Sequence, residues 1–420
     1  MTSPFDTSIV CPVLVGREIQ LDALDRMIAR ARDGQGQTAL IAGEAGVGKS
    51  RLGAEARAHA IAQGFAVLQG RCFEPDRVLP YAPLLDLLRP WIAARSTTQI
   101  ANALGPLAAE LAKLLPELAD LLPDLPSDLP LDPQQEQRRR AQALVQFFTR
   151  LVAGYDDDSG TPLLVIVEDL HWSDEASLEA LLTLARRIST LPILLLLTYR
   201  GDEAAPTLAQ MLATLERERL AGELRLTRLD YAEVDAMLRA IFEQRRPIRS
   251  DFLSALYALT EGNPFFIEEI LKSLITSGDI FYANGQWDRR PLTELNIPRT
   301  VQVAVRQRAD RLSADARRLL TIAAAAGRRF DFEVLLRLTG HAEATLLELM
   351  KSLIAAQLVV EESAETFAFR HALTREALYA DLLARERKAL HGAIAEALET
   401  ITRERGSETR DIWVADLAYH

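Results

Sequence analysis

A chain of 420 residues has room for roughly two to four domains and can bury cores without disulfide or metal staples. With 49% hydrophobic and 25% charged residues it has a globular composition, and its net charge of -11 argues against the whole chain binding strongly to nucleic acid or an anionic membrane, while leaving room for a local basic face. Its two cysteines, Cys11 and Cys72, cannot make a disulfide framework and lack metal-ligand spacing, so a reducing cytoplasm is the expected compartment.

Residues 1–9 lack a charged leader with an apolar core, and no signal peptide is expected. A helix is predicted over Glu18–Arg32, with Leu21, Leu24 and Ile28 on one face. Asp33-Gly34-Gln35-Gly36 ends it, and a short apolar strand follows over 38–42. A glycine-rich loop then opens a helix near Lys49, and a second strand is expected at 65–69. Residues 74–135, rich in proline and leucine, read as an insertion of short helices with a loop over 123–133. A helix resumes over 135–154, and Asp156-Asp157-Asp158-Ser159-Gly160 is a surface turn. Strands follow at 163–168, 193–199 and 223–226, with helices between them, so the N-terminal part is an α/β fold with a parallel sheet. The longest apolar run, 191–198, contains Pro192 and is far too short to span a bilayer; it suits a strand buried on both faces.

From Asp230 the pattern is mostly helical to about Lys272. A hairpin is predicted over 280–287, turning at Asn284-Gly285, and 291–298 reads as a linker. Helices recur at 301–311, 314–325, 332–338 and 343–356, then a small hairpin of 358–361 and 366–370, then two more helices. Helices followed by a two-stranded wing suggest a winged-helix domain. No internal repeat has a convincing period.

Gly43-Glu44-Ala45-Gly46-Val47-Gly48-Lys49-Ser50 fits the phosphate-binding pattern G-x-x-x-x-G-K-[ST] in full, between a predicted strand and helix. The glycines let backbone N–H groups curl inward onto phosphate oxygens, and the helix adds its positive end. Lys49 supplies charge to the β- and γ-phosphates, and the Ser50 hydroxyl suits Mg2+. Arg51, next on the helix, is counted with the loop. Glu168 and Asp169 end a wholly apolar strand, where acids reach the ligand crevice and can hold Mg2+ and orient an attacking water; which of them serves the metal is open. Asp174, in His171-Trp172-Ser173-Asp174, reads as the N-cap of a helix over Glu175–Arg187, and His171 as structural. Arg200 ends the next strand. It can reach a γ-phosphate or simply be solvated there. Gly262-Asn263-Pro264 is a helix stop and restart, and His371, after a wing strand, reads alone as a half-buried histidine.

These motifs, in this order, resemble the signal-transduction ATPases with numerous domains (STAND), in particular the ATPase module of large LuxR-type transcriptional regulators and of some multidomain adenylate cyclases and kinases. The resemblance covers about 13–391. It rests on Val15-Gly16-Arg17-Glu18, the phosphate loop, Val167-Glu168-Asp169-Leu170-His171-Trp172-Ser173-Asp174, Thr198-Tyr199-Arg200, Thr260-Glu261-Gly262-Asn263-Pro264-Phe265-Phe266 and Phe369-Arg370-His371-Ala372-Leu373. It implies ATP/ADP as ligand with Mg2+. Val15, Gly16 and Arg17 would lie beside adenine and ribose, and Arg200 would contact the terminal phosphate. Pro264, in a helical lid, would pack near the adenine, while His371, in a winged helix, would contact the β-phosphate of ADP and lock a resting state. Two departures from the family pattern are Gln20, where a glutamate is usual, and Ala372, where an aspartate closely follows the histidine.

The expected architecture is a P-loop nucleotide-binding domain over 1–228, a helical lid over 229–297, a winged-helix domain over 298–405, and in 406–420 a tail or the start of helical repeats. The expected function is an ATP/ADP-dependent switch, closed with ADP and open and self-associating with ATP, hydrolysing ATP slowly and acting on effector or sensor domains. Relatives continue into helical repeats and an effector, so the chain is expected to be truncated or a minimal switch with separate partners. A DNA-loading ATPase and a nucleotide-stabilised scaffold are the alternatives, the former disfavoured by charge.

Overall fold

The computed structural model describes residues 10–122, 132–154, 160–283, 286–290, 299–356 and 358–405. The loop predicted over 123–133 (all but its last two residues), the acidic turn at Asp156–Ser159, the Asn284-Gly285 turn, the linker over 291–298 and the tail over 406–420 lie outside the described residues. The chain divides into two compact units: Leu14–Thr227, and Arg228–His420 together with Met1–Val13.

The first unit runs α1 (Glu18–Arg32), β1 (Gln37–Ala42), α2 (Lys49–Ala62), β2 (Ala66–Arg71), the short helices α3 (Ala82–Ala93), α4 (Thr97–Leu104), α5 (Ala108–Ala112) and α6 (Glu117–Leu121), then α7 (Pro133–Ala153), β3 (Leu163–Glu168), α8 (Glu175–Arg187), β4 (Ile193–Tyr199), α9 (Pro206–Arg217) and β5 (Gly222–Arg225). The five strands form one sheet in the order β2-β3-β4-β1-β5, every pair parallel. This is the expected α/β fold. Every residue of β3 and β4 is buried, because helices cover both faces and leave no place for a polar alternate. Alternation along β4 sorts its leucines between two cores. Leu194 and Leu196 join Leu24, Ile28 and Leu52 of α1 and α2, while Leu195 and Leu197 join Phe147 of α7 and Leu181 of α8. Each such side chain contributes about 1.5–3 kcal/mol of burial.

The second unit runs α10 (Tyr231–Ile241), α11 (Ser250–Thr260), α12 (Pro264–Thr276), β6 (Ile280–Ala283), β7 (Gln286–Arg289), α13 (Arg299–Asp310), α14 (Ala314–Ala326), β8 (Arg329–Asp331), α15 (Phe332–Thr339), α16 (Glu343–Ala355), β9 (Val359–Glu361), β10 (Thr366–Phe369), α17 (Ala372–Ala380) and α18 (Ala384–Arg405). The predicted two-stranded wing is three-stranded, in the antiparallel order β8-β10-β9. Strand β8 is three residues long and carries no periodicity of its own. Pairing with β10 defines it, with Phe330 edge-on to Phe369 at 5.5 Å. Residues 10–13, assigned from sequence to the P-loop domain, belong with this unit: the Cys11 N–H donates to Glu268 Oε1 at 3.0 Å. Among the described residues no helix is long and apolar enough to cross a membrane.

Candidate functional site

The loop Gly43–Ser50 joins β1 to α2 inside the first unit. Gly46 (φ 78°) and Gly48 (φ 106°) take the left-handed conformation that turns the chain back on itself. A Cβ at Gly43 would meet Val47 Cγ1 at 2.8 Å and the Leu226 carbonyl at 3.0 Å, so the loop closes only around glycine there. Val47 is buried beneath, and Arg51 is half-buried on α2. No side chain caps the start of α2, which leaves its first N–H groups to an anion. Lys49 is buried, and its Nζ folds over the loop, donating to the carbonyls of Gly43 at 2.8 Å and Glu44 at 2.9 Å. Burial lowers its pKa to about 8. The nearby Arg200 charge pushes the same way, against Asp169, Asp202 and Glu203. Ala45 stands between Glu44 and Gly46 in the turn of the loop and is half-buried.

The two acids left open by the sequence are held differently. Glu168, buried at the end of β3, accepts from Ser50 Oγ at 2.7 Å and from Gln69 Nε2 at 2.8 Å. Asp169 lies in the left-handed region (φ 61°), its N–H donating to Thr198 Oγ1 at 3.0 Å. Its carboxylate turns to Arg71 of the neighbouring strand, at 2.9 Å from Nε and 2.8 Å from Nη2. A hydroxyl beside a carboxylate is a hard-oxygen pair that fits Mg2+, so Ser50 and Glu168 are the fitting set. Gln69 and Arg71 were missed from sequence. Both stand near the end of β2, and only the strand order puts that end beside Glu168.

Arg200 follows β4 and directs Nη1 at both carboxylate oxygens of Glu203, each at 2.9 Å. His171, on the turn after β3, has a fully buried ring with no hydrogen bond at either nitrogen; Nε2 is 3.7 Å from Glu203 Oε2. Burial, reinforced by Arg200, lowers its pKa to about 4, so the ring is neutral. Asp174 is the helix cap its position predicts, accepting from the Ser177 N–H at 2.8 Å. Arg17 is buried and reaches back to the loop, its Nη2 3.4 Å from the Val47 carbonyl and also bonded to that of Thr227. Val15 and Gly16 beside it are half-buried.

In the second unit Pro264 is the first residue of α12, and buried Asn263 caps it, accepting from the Phe265 N–H at 3.2 Å. His371, read from sequence as half-buried, is buried at the start of α17. Packing from α12 accounts for the difference: the Phe266 ring stands edge-on to it at 5.4 Å. Its Nδ1 is 2.8 Å from Arg228 Nη2, which also reaches the Arg370 carbonyl at 3.2 Å. Arg228 and Arg328 both pair with Glu261, so the Glu261–Phe266 and Arg370–His371 strings meet.

Residues 13–197 match the family of AAA ATPase domains. An uncharacterized protein of Rhizobium meliloti (strain 1021) is 28% identical over 412 residues, covering 92% of this chain; the chain spans 37% of that relative's length. Among solved structures, the Aeropyrum pernix ORC2 protein in ADPNP–ADP complexes shares the fold, with TM-score 0.51 at 15% identity over 94% of this chain and 98% of that one. A STAND protein with a tetratricopeptide repeat sensor from Pyrococcus horikoshii matches at TM-score 0.33 and 15% identity, over 95% of this chain and 48% of that one. The family match takes in the phosphate loop and the strand end that carries Glu168 and Asp169.

Proposed function

We propose that this chain, whose residues 13–197 match the AAA ATPase domain family, is an ATP/ADP-operated signalling switch: it rests with ADP and becomes active and self-associating with ATP and Mg2+. The observation that carries this reading is the wiring of the loop, with Lys49 folded onto Gly43 and Glu44 and Ser50 bonded to Glu168. The loop N–H groups and Lys49 would bind the phosphates. Ser50 and Glu168 would hold Mg2+, which supplies charge neutralisation between the β- and γ-phosphates. Asp169 would orient the attacking water for slow in-line hydrolysis, and Arg200 would read the terminal phosphate. Driving a two-state equilibrium from one side to the other takes about 5.5 kcal/mol of differential binding. A few charge-assisted contacts at about 1.5–3 kcal/mol each are enough for that.

For Pro264 and His371 the proposal is a part in retaining ADP, as is the division of the second unit into lid and winged helix. The partner classes in this reading are effector or sensor domains, with transcription one output, and they follow from the resemblance. The test is nucleotide affinity together with molecular mass in ADP and in ATP. Lys49→Ala is expected to weaken both nucleotides by at least about 100-fold, and the wild type to gain mass only with ATP. Unchanged affinity in Lys49→Ala overturns the site. Salt-dependent capture of duplex DNA with no change of mass would move the reading to a DNA-loading ATPase.

A further inference from the structure

We propose that Glu203 is a displaceable counterion: it neutralises Arg200 in the absence of a terminal phosphate and passes to His171 when that phosphate takes Arg200. The proposal rests on the reading of Arg200 as the phosphate sensor and adds the group that sets its threshold.

Glu203 sits on the short turn Gly201–Glu203 directly after Arg200, and both its carboxylate oxygens take Arg200 Nη1 at 2.9 Å. On its other side is His171, whose side chain is 0% exposed and whose Nε2 lies 3.7 Å from Glu203 Oε2, just beyond hydrogen-bond range. Three buried nitrogens here, His171 Nδ1, His171 Nε2 and Arg200 Nε, have no partner. Buried polar groups left unmade are costly and uncommon. Several of them around one carboxylate describe a site with a second arrangement. A shift of Glu203 by less than about 1 Å toward the ring would bring Oε2 within reach of Nε2. The neutral imidazole can donate an N–H there without taking up a proton.

The Arg200 charge is felt at Lys49, second only to burial in lowering the lysine's pKa, so an anion held by Lys49 would lie in the field of Arg200 and draw it from Glu203. ADP has no terminal phosphate to offer and leaves the Arg200–Glu203 pair intact. ATP must displace it. Glu203 therefore reduces the affinity gained from the third phosphate, and His171 lowers that cost by receiving the freed carboxylate.

The test is the ratio of ADP to non-hydrolysable ATP-analogue dissociation constants, measured by calorimetry on the full chain. Glu203→Gln is expected to tighten the analogue about tenfold and leave ADP within about twofold, because only the analogue competes for Arg200. Asp202→Asn removes a neighbouring charge that also acts on Lys49 while keeping Arg200 and Glu203 themselves, and is expected to move both nucleotides alike. The His171 ring, followed by 15N NMR, is expected to gain a hydrogen bond at Nε2 with the analogue and not with ADP. Arg200→Ala separates the two readings. If it leaves the ratio unchanged, the sensor reading falls. If it collapses the ratio while Glu203→Gln behaves like Asp202→Asn, the counterion alone is overturned.

Discussion

In the first unit the candidate side chains leave the carboxyl ends of buried strands: Glu168 from β3, Arg200 from β4, and the phosphate loop from β1. In the second unit Pro264 and His371 stand at helix starts, and charged side chains far apart in sequence, Arg228, Glu261 and Arg328, link their surroundings. The first arrangement is set by backbone and packing, so its geometry is as stiff as the core beneath it. The second depends on ion pairs with partly exposed members, which are individually weak. A packing change should therefore damage the first site most, and a single charge deletion should alter the second without unfolding it.

The largest expected effect comes from Leu195→Ala. Leu195 is fully buried in β4, between Thr38 of β1 and Val165 of β3. The cavity should cost about 2–5 kcal/mol, seen as a lower urea midpoint with nucleotide binding lost in the same transition. Stability within about 0.5 kcal/mol of wild type would break the claim that the core sets this site.

A smaller effect follows from Lys49. With its pKa lowered to about 8, the lysine loses its charge above that pH in the nucleotide-free protein. Bound phosphate favours the charged form and raises the pKa, so binding above pH 8 takes up a proton and weakens as pH rises. The fall should approach about tenfold per pH unit. Calorimetry in two buffers of different ionisation heat checks it, and a flat affinity from pH 7 to about 9.5 contradicts it.

Asp174→Ala should cost about 0.5–2 kcal/mol. Its carboxylate caps α8 through the Ser177 N–H at 2.8 Å and also takes the Tyr81 N–H at 3.1 Å. Asp174→Asn retains part of the cap and should recover most of the loss on a urea titration.

The same contrast explains what was legible in the sequence. Unbroken apolar runs such as 163–167 read as buried strands because both sheet faces are covered, and the phosphate loop and the Asp174 cap are local in sequence. The partners of the acids were not legible. Arg71 meets Asp169, and Gln69 meets Glu168, only because β2 is the neighbour of β3, and strand order is not written in either strand. Strand β8 was missed for the same reason, being defined by its pairing with β10. Glu203 is within three residues of Arg200 but drew no reading from the sequence, because only the fold sets it 3.7 Å from His171 Nε2.

The gentlest test concerns one proton on His371. Arg228 Nη2 lies 2.8 Å from its Nδ1, and a guanidinium only donates. Nδ1 is therefore the acceptor, and in the neutral ring the proton belongs on Nε2. The Phe266 edge and the Arg370 carbonyl contact fix this arrangement from two further sides. A ring so held presents its N–H in one direction, whereas a ring free to exchange tautomers presents a donor there only part of the time. 15N NMR of the ring should report the Nε2–H form in the wild type and a tautomer mixture in Arg228→Ala, with Glu261→Gln intermediate because it loosens Arg228 without removing it. A wild-type ring protonated on Nδ1 would mean that Arg228 does not set its orientation, and the second unit would then hold its histidine by packing, as the first unit holds its strand ends.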